Sequence, residues 1–180
     1  MADILSRTSP RDACRLSVVS TIFRSVADSD SVWERFLPSD IQSILSTSVS
    51  SSLSNFSSKK ELFLHLSDNP VLINNGTRTF GLEKCSGKKC YMVGAKELPR
   101  VPEPRPSRVV AIVISTSGWH EVRGKMETRL LSPNTTYVAY LVFNFTEPAY
   151  VYSHVKASIK LASGGRPEQG EVKKINLMVP

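Results

Sequence analysis

Cysteine, histidine and long apolar segments are all scarce in this chain of 180 residues. Its three cysteines and three histidines stand far apart, which predicts neither a disulfide framework nor a metal site. The longest apolar runs, 109–114 and 137–143, are much shorter than the roughly 18 residues that a membrane-spanning helix needs. The N-terminus reaches Asp3 and Arg7 before the apolar segment of a signal peptide could form. We therefore expect an intracellular protein, cytoplasmic or nuclear, with reduced thiols, no cofactor and no membrane insertion.

Motifs of catalysis are missing as well. The sequence contains neither the Gly-x-Ser-x-Gly turn of a nucleophilic serine nor a glycine-rich phosphate loop. Glu121 and Glu127 could be read as a carboxylate pair, but glutamates in a basic region are more typically charge partners. We therefore predict that the chain is not an enzyme.

Positive charge is concentrated in the later part of the chain. The formal net charge is +7, made up of −1 over residues 1–58 and +8 over residues 59–180. Such a basic region either attracts nucleic acid or an acidic partner, or simply keeps a small domain soluble. Because no arginine-rich block or nucleic-acid motif accompanies the charge, we favour the last interpretation and expect no nucleic-acid partner.

The first forty residues have the apolar spacing of helices. Ser9-Pro10 is typical of a helix start, with a capping side chain followed by a proline in the first turn. Apolar residues then recur at helical spacing, which predicts one helix over 10–27. Another helix is predicted from Val32 until Pro38 stops it. Helices this short enclose little core, so they need a partner to cover their apolar faces.

The segment from Ser43 to Ser58 is dominated by serine, at nine of its sixteen positions, and carries no charge. This composition is typical of a linker or a loosely ordered loop. Ser58 and Glu61 then form a capping-box pattern, which predicts a short helix that Pro70 closes.

From about Thr79 onward the apolar pattern has the period of two that is typical of β-strands. Strands are predicted at 79–84 and 89–95, joined as a hairpin by a turn that contains Gly87. Further strand patterns lie at 109–115, 136–145, 154–161 and 171–178. Several short strands with turns between them indicate a β-sandwich or a jelly roll. The proline-rich segment 98–108 is either a stiff connecting loop or a polyproline ligand.

Two blocks of sequence carry a family resemblance. The first block, which resembles an F-box, consists of Ile4–Leu16, Val19-Ser20, Phe23-Arg24 and Val32–Pro38. The second block is similar to the phloem-lectin (tobacco-agglutinin-like) domain of plant F-box proteins, and consists of Gly87–Met92, Gly118–Met126 and Leu131–Phe143. In this order, the two blocks and the segments between them cover most of the chain.

The resemblance implies a substrate-recognition adaptor of a Skp–cullin–F-box ubiquitin ligase. The F-box would bind a Skp-type adaptor protein, and the lectin-like domain would recognise glycans on target proteins. The fold it implies is α+β, with a short helical F-box module followed by an antiparallel β-sandwich of the jelly-roll type. We expect the F-box at 1–40, a serine-rich linker and short helix at 41–78, and the lectin-like domain at 79–180. The alternative is a degenerate lectin-fold binding protein that does not assemble a ligase.

Candidate contact residues follow from the same resemblance. The expected contacts with the Skp-type adaptor are Ile4, Leu5, Pro10, Leu16, Val19 and Trp33. The alternative for these residues is a role in the protein's own core. Trp119 is the candidate for carbohydrate contact, because sugar faces stack on aromatic rings, and core packing is again its alternative.

The sequence departs from the family pattern in three places. The Leu-Pro pair that opens the first F-box helix is missing before Ile4, and Pro99–Pro106 stands where the family has a tryptophan-rich stretch. The family also continues into further strands beyond Pro180. We therefore expect a form shortened at both ends, in which sugar binding is weak or lost.

Overall fold

A computed structural model describes residues 2–49, 56–97, 124–140 and 142, together with four short strands between 155 and 175. The chain divides into two compact units, Met1–Thr135 and Thr136–Pro180. Of the expected β-domain, 98–123 and Trp119 within it lie outside the described residues.

Six α-helices are present among the described residues of the first unit. They are α1 (Ala2–Leu5), α2 (Pro10–Leu16), α3 (Thr21–Ala27), α4 (Asp30–Phe36), α5 (Ile41–Ser46) and α6 (Lys59–Asp68). The two predicted caps are confirmed. The Ser9 hydroxyl accepts a hydrogen bond from the Asp12 amide at 3.1 Å, and the Ser58 hydroxyl accepts one from the Glu61 amide at 3.1 Å.

The single helix predicted over 10–27 is wrong, because the structure divides it into α2 and α3. The Ser17 hydroxyl donates to the Cys14 carbonyl at 2.6 Å as α2 ends, and the Ser20 hydroxyl caps α3 by accepting from the Phe23 amide at 3.2 Å. Serine side chains compete in this way with the backbone hydrogen bonds of a continuing helix. The periodicity alone did not show this break.

The expectation of a linker throughout the serine-rich segment is also wrong at its start. Helix α5 occupies Ile41–Ser46, with Ile41 and Ile44 buried. The Thr47 hydroxyl donates to the Ile44 carbonyl at 2.7 Å, where it ends the helix. Burial of the two isoleucines outweighs the weak helix propensity of the two serines in this helix, Ser43 and Ser46. Residues 50–55 lie outside the described residues.

Three antiparallel strands follow in the order β1 (Val71–Ile73), β2 (Arg78–Leu82) and β3 (Lys89–Val93). The predicted hairpin of β2 and β3 is confirmed, whereas β1 was not predicted. Phe80 lies opposite Val71 on one side and opposite Tyr91 on the other. The α+β fold class is therefore confirmed, with N-terminal helices that lead into an antiparallel sheet.

The second unit contains two short antiparallel pairs among its described residues. Strand β4 (Val155–Ser158) pairs with β7 (Val172–Ile175), and β5 (Ala162–Ser163) pairs with β6 (Arg166–Pro167). The outer pair lies in segments where strands were predicted. The strand predicted over 136–145 is not present at 136–140 and 142, the residues of this segment that the structure describes.

One hydrophobic core joins the helices to the sheet in the first unit. Its buried members are Leu5, Ala13, Ala27, Val32, Trp33, Phe36, Leu37, Ile41, Ile44, Leu62, Phe63, Leu66, Val71, Ile73, Phe80 and Leu82. Helix α6 and strands β1 and β2 thus supply the cover that the short N-terminal helices need. Within the described part of the chain, we find no helix with the length and apolar character to cross a bilayer.

Candidate functional site

The N-terminal helices expose four aliphatic side chains, which we call the docking patch. The patch consists of Ile4 on α1, Val18 and Val19 in the turn after α2, and Ile22 on α3. The exposed fraction is 85% for Val18, 69% for Ile4, 65% for Val19 and 62% for Ile22. Because α3 packs against both α1 and α2, the patch lies on neighbouring elements. Several exposed aliphatic residues on neighbouring elements make this region a candidate protein-binding surface.

The turn that carries Val18 and Val19 is fixed by hydrogen bonds. The amide of Val18 donates to the Arg15 carbonyl at 3.4 Å, and the amide of Val19 donates to the Leu16 carbonyl at 3.1 Å. The Ser20 cap begins α3 immediately afterwards. The two valines are therefore presented from a short ordered connection between two helices, so a partner that binds them does not have to order a loose loop.

The same helices also contribute buried side chains to the core. Leu5 on α1 and Ala13 on α2 are almost fully buried, as is Pro10 at the start of α2. The indole of Trp33 is 0% exposed, and its Nε1 donates to the Ala27 carbonyl at 2.6 Å. This bond joins α4 to the end of α3, the helix that carries Ile22.

The structure therefore separates the six residues that were predicted to contact a Skp-type adaptor. Ile4 and Val19 are exposed, Leu16 is half-buried, and Leu5, Pro10 and Trp33 lie in the interior. Sequence reasoning missed Val18 and Ile22. Val18 directly precedes Val19 but falls off the apolar stripe of a helix that was assumed to be continuous, so recognition of the break at Ser17 would have found it.

Two exposed ion pairs are formed by Asp3, the residue before Ile4. The Asp3 carboxylate on α1 lies 3.3 Å from Nε of Arg7 and 3.1 Å from Nη1 of Arg35 on α4. All three side chains are more than half exposed, so each pair contributes at most about 1 kcal/mol. The Asp3–Arg35 pair joins α1, which carries Ile4, to α4.

An ordered polar site, separate from the apolar docking patch, lies in the hairpin turn between β2 and β3. The Glu83 carboxylate accepts from the Ser86 hydroxyl at 2.6 Å, the Ser86 amide at 2.7 Å and the Cys85 amide at 3.0 Å. The Ser86 hydroxyl, followed by the Cys85 amide, lowers the pKa of Glu83 below its usual value. Such a carboxylate remains ionised and anchors the turn, which is the opposite of what a general acid requires.

The remaining titratable side chains form no metal site in the part of the chain that the structure describes, where no three His, Cys, Asp or Glu residues are grouped. Burial raises the pKa of the Cys90 thiol, with a smaller effect from Glu83, and a raised pKa disfavours the nucleophilic thiolate.

Comparison with known proteins agrees with these two regions. The family model of phloem protein 2 matches residues 88–177, and an F-box-like model matches residues 1–39. The docking patch lies entirely within the second match, and β3 lies within the first.

The curated relatives are F-box proteins of Arabidopsis thaliana. The putative F-box protein PP2-B12 is 43% identical over 82% of this chain and 61% of its own length. The putative F-box protein PP2-B2 is 44% identical over 79% of this chain and 48% of its own length. The F-box protein VBF is 37% identical over 97% of this chain and 64% of its own length.

The chain thus spans between about half and two thirds of the length of these three relatives. No solved structure matches it. The match to the phloem protein 2 model over half of the chain, preceded by the F-box-like segment, shows that this chain belongs to the family of F-box proteins with a phloem protein 2 domain.

Proposed function

We propose that this chain is a non-enzymatic substrate-recognition adaptor of a Skp–cullin–F-box ubiquitin ligase, acting in the cytoplasm or nucleus. In this proposal the docking patch binds a Skp-type adaptor protein, and the phloem protein 2 region binds the protein to be ubiquitinated. The observation that carries the proposal is the exposure of Ile4, Val18, Val19 and Ile22 within the F-box-like segment.

The energetics favour a protein partner for this patch. Removal of an exposed aliphatic side chain from water contributes about 1.5–3 kcal/mol when it is fully buried. Four such side chains provide a gain comparable with the cost of bringing two proteins together, about 4–15 kcal/mol. The patch would therefore act as the apolar centre of a larger interface, and the loss of any one of its members should weaken binding measurably.

Recognition of the target is assigned in this proposal to the phloem protein 2 region, with Trp119 as the candidate contact to a glycan. The support is the family match over 88–177, which includes Trp119. We expect this contact to be weak, because the aromatic stretch that would add stacking surface is replaced by Pro99–Pro106.

The test of adaptor binding is a charge placed in the patch. Titration of the full chain with a recombinant plant Skp-type adaptor should show binding by the wild type. Binding by Val18→Asp and by Ile22→Asp should be at least about 100-fold weaker, because a buried unpaired carboxylate costs several kcal/mol. Both side chains are exposed in the free chain, so thermal unfolding of the variants should match that of the wild type.

Val49→Asp is the matched control. Val49 is 62% exposed, as Ile22 is, but it lies outside the F-box-like match at 1–39. Its substitution should leave the affinity unchanged. A wild type that does not bind the adaptor would overturn the proposal and favour a binding protein that does not assemble a ligase. Equal affinities for Val18→Asp and wild type would instead overturn the assignment of adaptor binding to the docking patch.

A further inference from the structure

The hairpin turn between β2 and β3 lies directly against the end of an F-box helix. Gly87 in this turn has a φ of +71°, and a Cβ atom at this position would lie 2.6 Å from the carbonyl oxygen of Phe36. The same atom would lie 3.3 Å from Cε2 of Phe63 on α6. The turn backbone therefore approaches the last residue of α4 as closely as the absence of a side chain permits.

Polar contacts join the same parts of the chain. Lys89, whose side chain is only 7% exposed, places Nζ 2.6 Å from Oδ2 of Asp40. Lys60 on α6 places Nζ 2.6 Å from Oδ1 of Asp28, and the amide of Lys59 donates to Asp30 at 2.7 Å. Thus each of three acidic residues at the ends of the F-box helices or just after them is bound by α6 or by β3.

The core continues across the same boundary. The rings of Trp33 on α4 and Phe63 on α6 are 5.1 Å apart, and both side chains are almost fully buried. Lys60 also lies over the Trp33 ring, with Nζ 5.7 Å from its centroid. Phe80 on β2 belongs to the same buried cluster.

From these contacts we infer that the F-box-like segment and the β2–β3 hairpin form one cooperative folding unit. The first strand of the phloem protein 2 region is then held in a fixed position relative to the docking patch. Binding of an adaptor at the patch is coupled to the stability of the hairpin, because a ligand that binds only the folded unit stabilises every part that unfolds with it. Two experiments test this inference. The first, on variants of the chain, does not depend on the proposed function, and the second, with a bound adaptor, rests on it.

The mutational arm compares two glycines by hydrogen exchange of the full chain. Gly76 has a φ of +74°, but a Cβ atom there would have nothing within 4 Å. Gly76→Ala and Gly87→Ala therefore share the strain of a left-handed backbone, and only Gly87→Ala also collides with Phe36. Relative to wild type, Gly87→Ala should accelerate exchange of the amides of α3 and α4 by the same factor as exchange of the amides of β2 and β3. Exchange of all these amides should be at least about tenfold faster in Gly87→Ala than in Gly76→Ala.

Two results of this arm would overturn the inference. One is faster exchange in β2 and β3 with unchanged exchange in α3 and α4, which would show independent modules. The other is an equal effect of the two glycine variants, which would assign the loss to backbone strain alone.

A second pair of variants applies if Gly87→Ala does not fold. Lys89→Met removes the ion pair that the buried Lys89 makes with the partly exposed Asp40, whereas Lys84→Met removes a more exposed pair with Asp68 at a similar distance of 2.7 Å. Lys89→Met should accelerate exchange in α3, α4 and β3 together, and Lys84→Met should change these amides little. Faster exchange confined to β3 in Lys89→Met would contradict the inference.

The adaptor arm uses the wild-type chain with a recombinant Skp-type adaptor in 100-fold excess over its Kd. Amides of β2 and β3 should then exchange about 100-fold more slowly, by the same factor as amides of α3 and α4. Protection of α3 and α4 alone would overturn the inference and leave the proposed function standing. A complete lack of adaptor binding would overturn the proposed function, while the glycine and lysine variants would still decide whether the two parts fold together.

Discussion

Replacement of Trp33 by alanine should remove a large share of the stability of the helical layer. The side chain is 0% exposed, and its ring centroid lies 5.5 Å from that of Phe36 and 5.1 Å from that of Phe63. Truncation of a buried aromatic residue to alanine typically costs about 3–5 kcal/mol. Small domains have only about 5–15 kcal/mol in total, so Trp33→Ala should melt at least about 10 °C below the wild type or be unfolded.

A smaller substitution separates the hydrogen bond from the packing. Trp33→Phe retains most of the apolar volume but loses the bond from Nε1 to the Ala27 carbonyl. This loss should cost about 1–2 kcal/mol, which corresponds to a few degrees in the melting temperature. Met92→Ala is the control, because Met92 is 54% exposed and its truncation should leave melting unchanged.

The measurement is thermal unfolding of the full chain, followed by circular dichroism at a helix-sensitive wavelength. The α-helices of the described residues all lie between Ala2 and Asp68, so the signal reports the layer that Trp33 supports. The expected order of melting temperatures is wild type, Trp33→Phe and then Trp33→Ala. If Trp33→Ala melted with the wild type, the indole would not be part of the core, and the packing described for α3, α4 and α6 would be refuted.

Two further predictions concern the hairpin turn and the sugar site. The hydrogen bonds from Ser86 and Cys85 lower the pKa of Glu83 in the folded chain. The stability that this carboxylate gives the turn is therefore complete above the pKa of an unperturbed glutamate, about 4.3. It is lost as the pH falls through the lower pKa that Glu83 has in the folded chain. Hydrogen exchange in the turn, corrected for intrinsic rates, should therefore lose protection below about pH 4 in the wild type but not in Glu83→Gln, and parallel pH profiles would contradict this. In the phloem protein 2 region, calorimetric titration with chitotriose should give weak binding or none, since the loss of two stacking aromatic rings costs about 1–3 kcal/mol, and micromolar affinity would show a site that the sequence argument did not find.

The parts of the fold that the sequence predicted are those set by local chemistry. Ser9 and Ser58 cap helices because a serine hydroxyl reaches an amide three residues later, whatever the surroundings. The β2–β3 hairpin follows from alternating residues around a turn that contains Gly87. These features need no knowledge of distant residues.

The parts that were missed depend on distant contacts. Helix α5 forms in a serine-rich segment because Ile41 and Ile44 reach a core that is completed from α6 and the sheet. The division of the candidate adaptor contacts into exposed and buried residues also depends on distant contacts. Trp33 and Ile4 are both apolar, and the sequence does not show which of them is buried. In the structure Trp33 packs on Phe63 of α6 and is enclosed, whereas Ile4 is 69% exposed.

This dependence also determines how the docking patch is held in place. Ile22 lies on α3, whose last residue, Ala27, accepts the hydrogen bond from Trp33. Trp33 packs on Phe63 of α6, and Phe63 lies beneath the turn that carries Gly87. Only two buried aromatic side chains therefore separate the end of α3 from the hairpin that leads into the phloem protein 2 region. Because a close-packed core transmits displacements instead of absorbing them, a change at either end must be accommodated at the other.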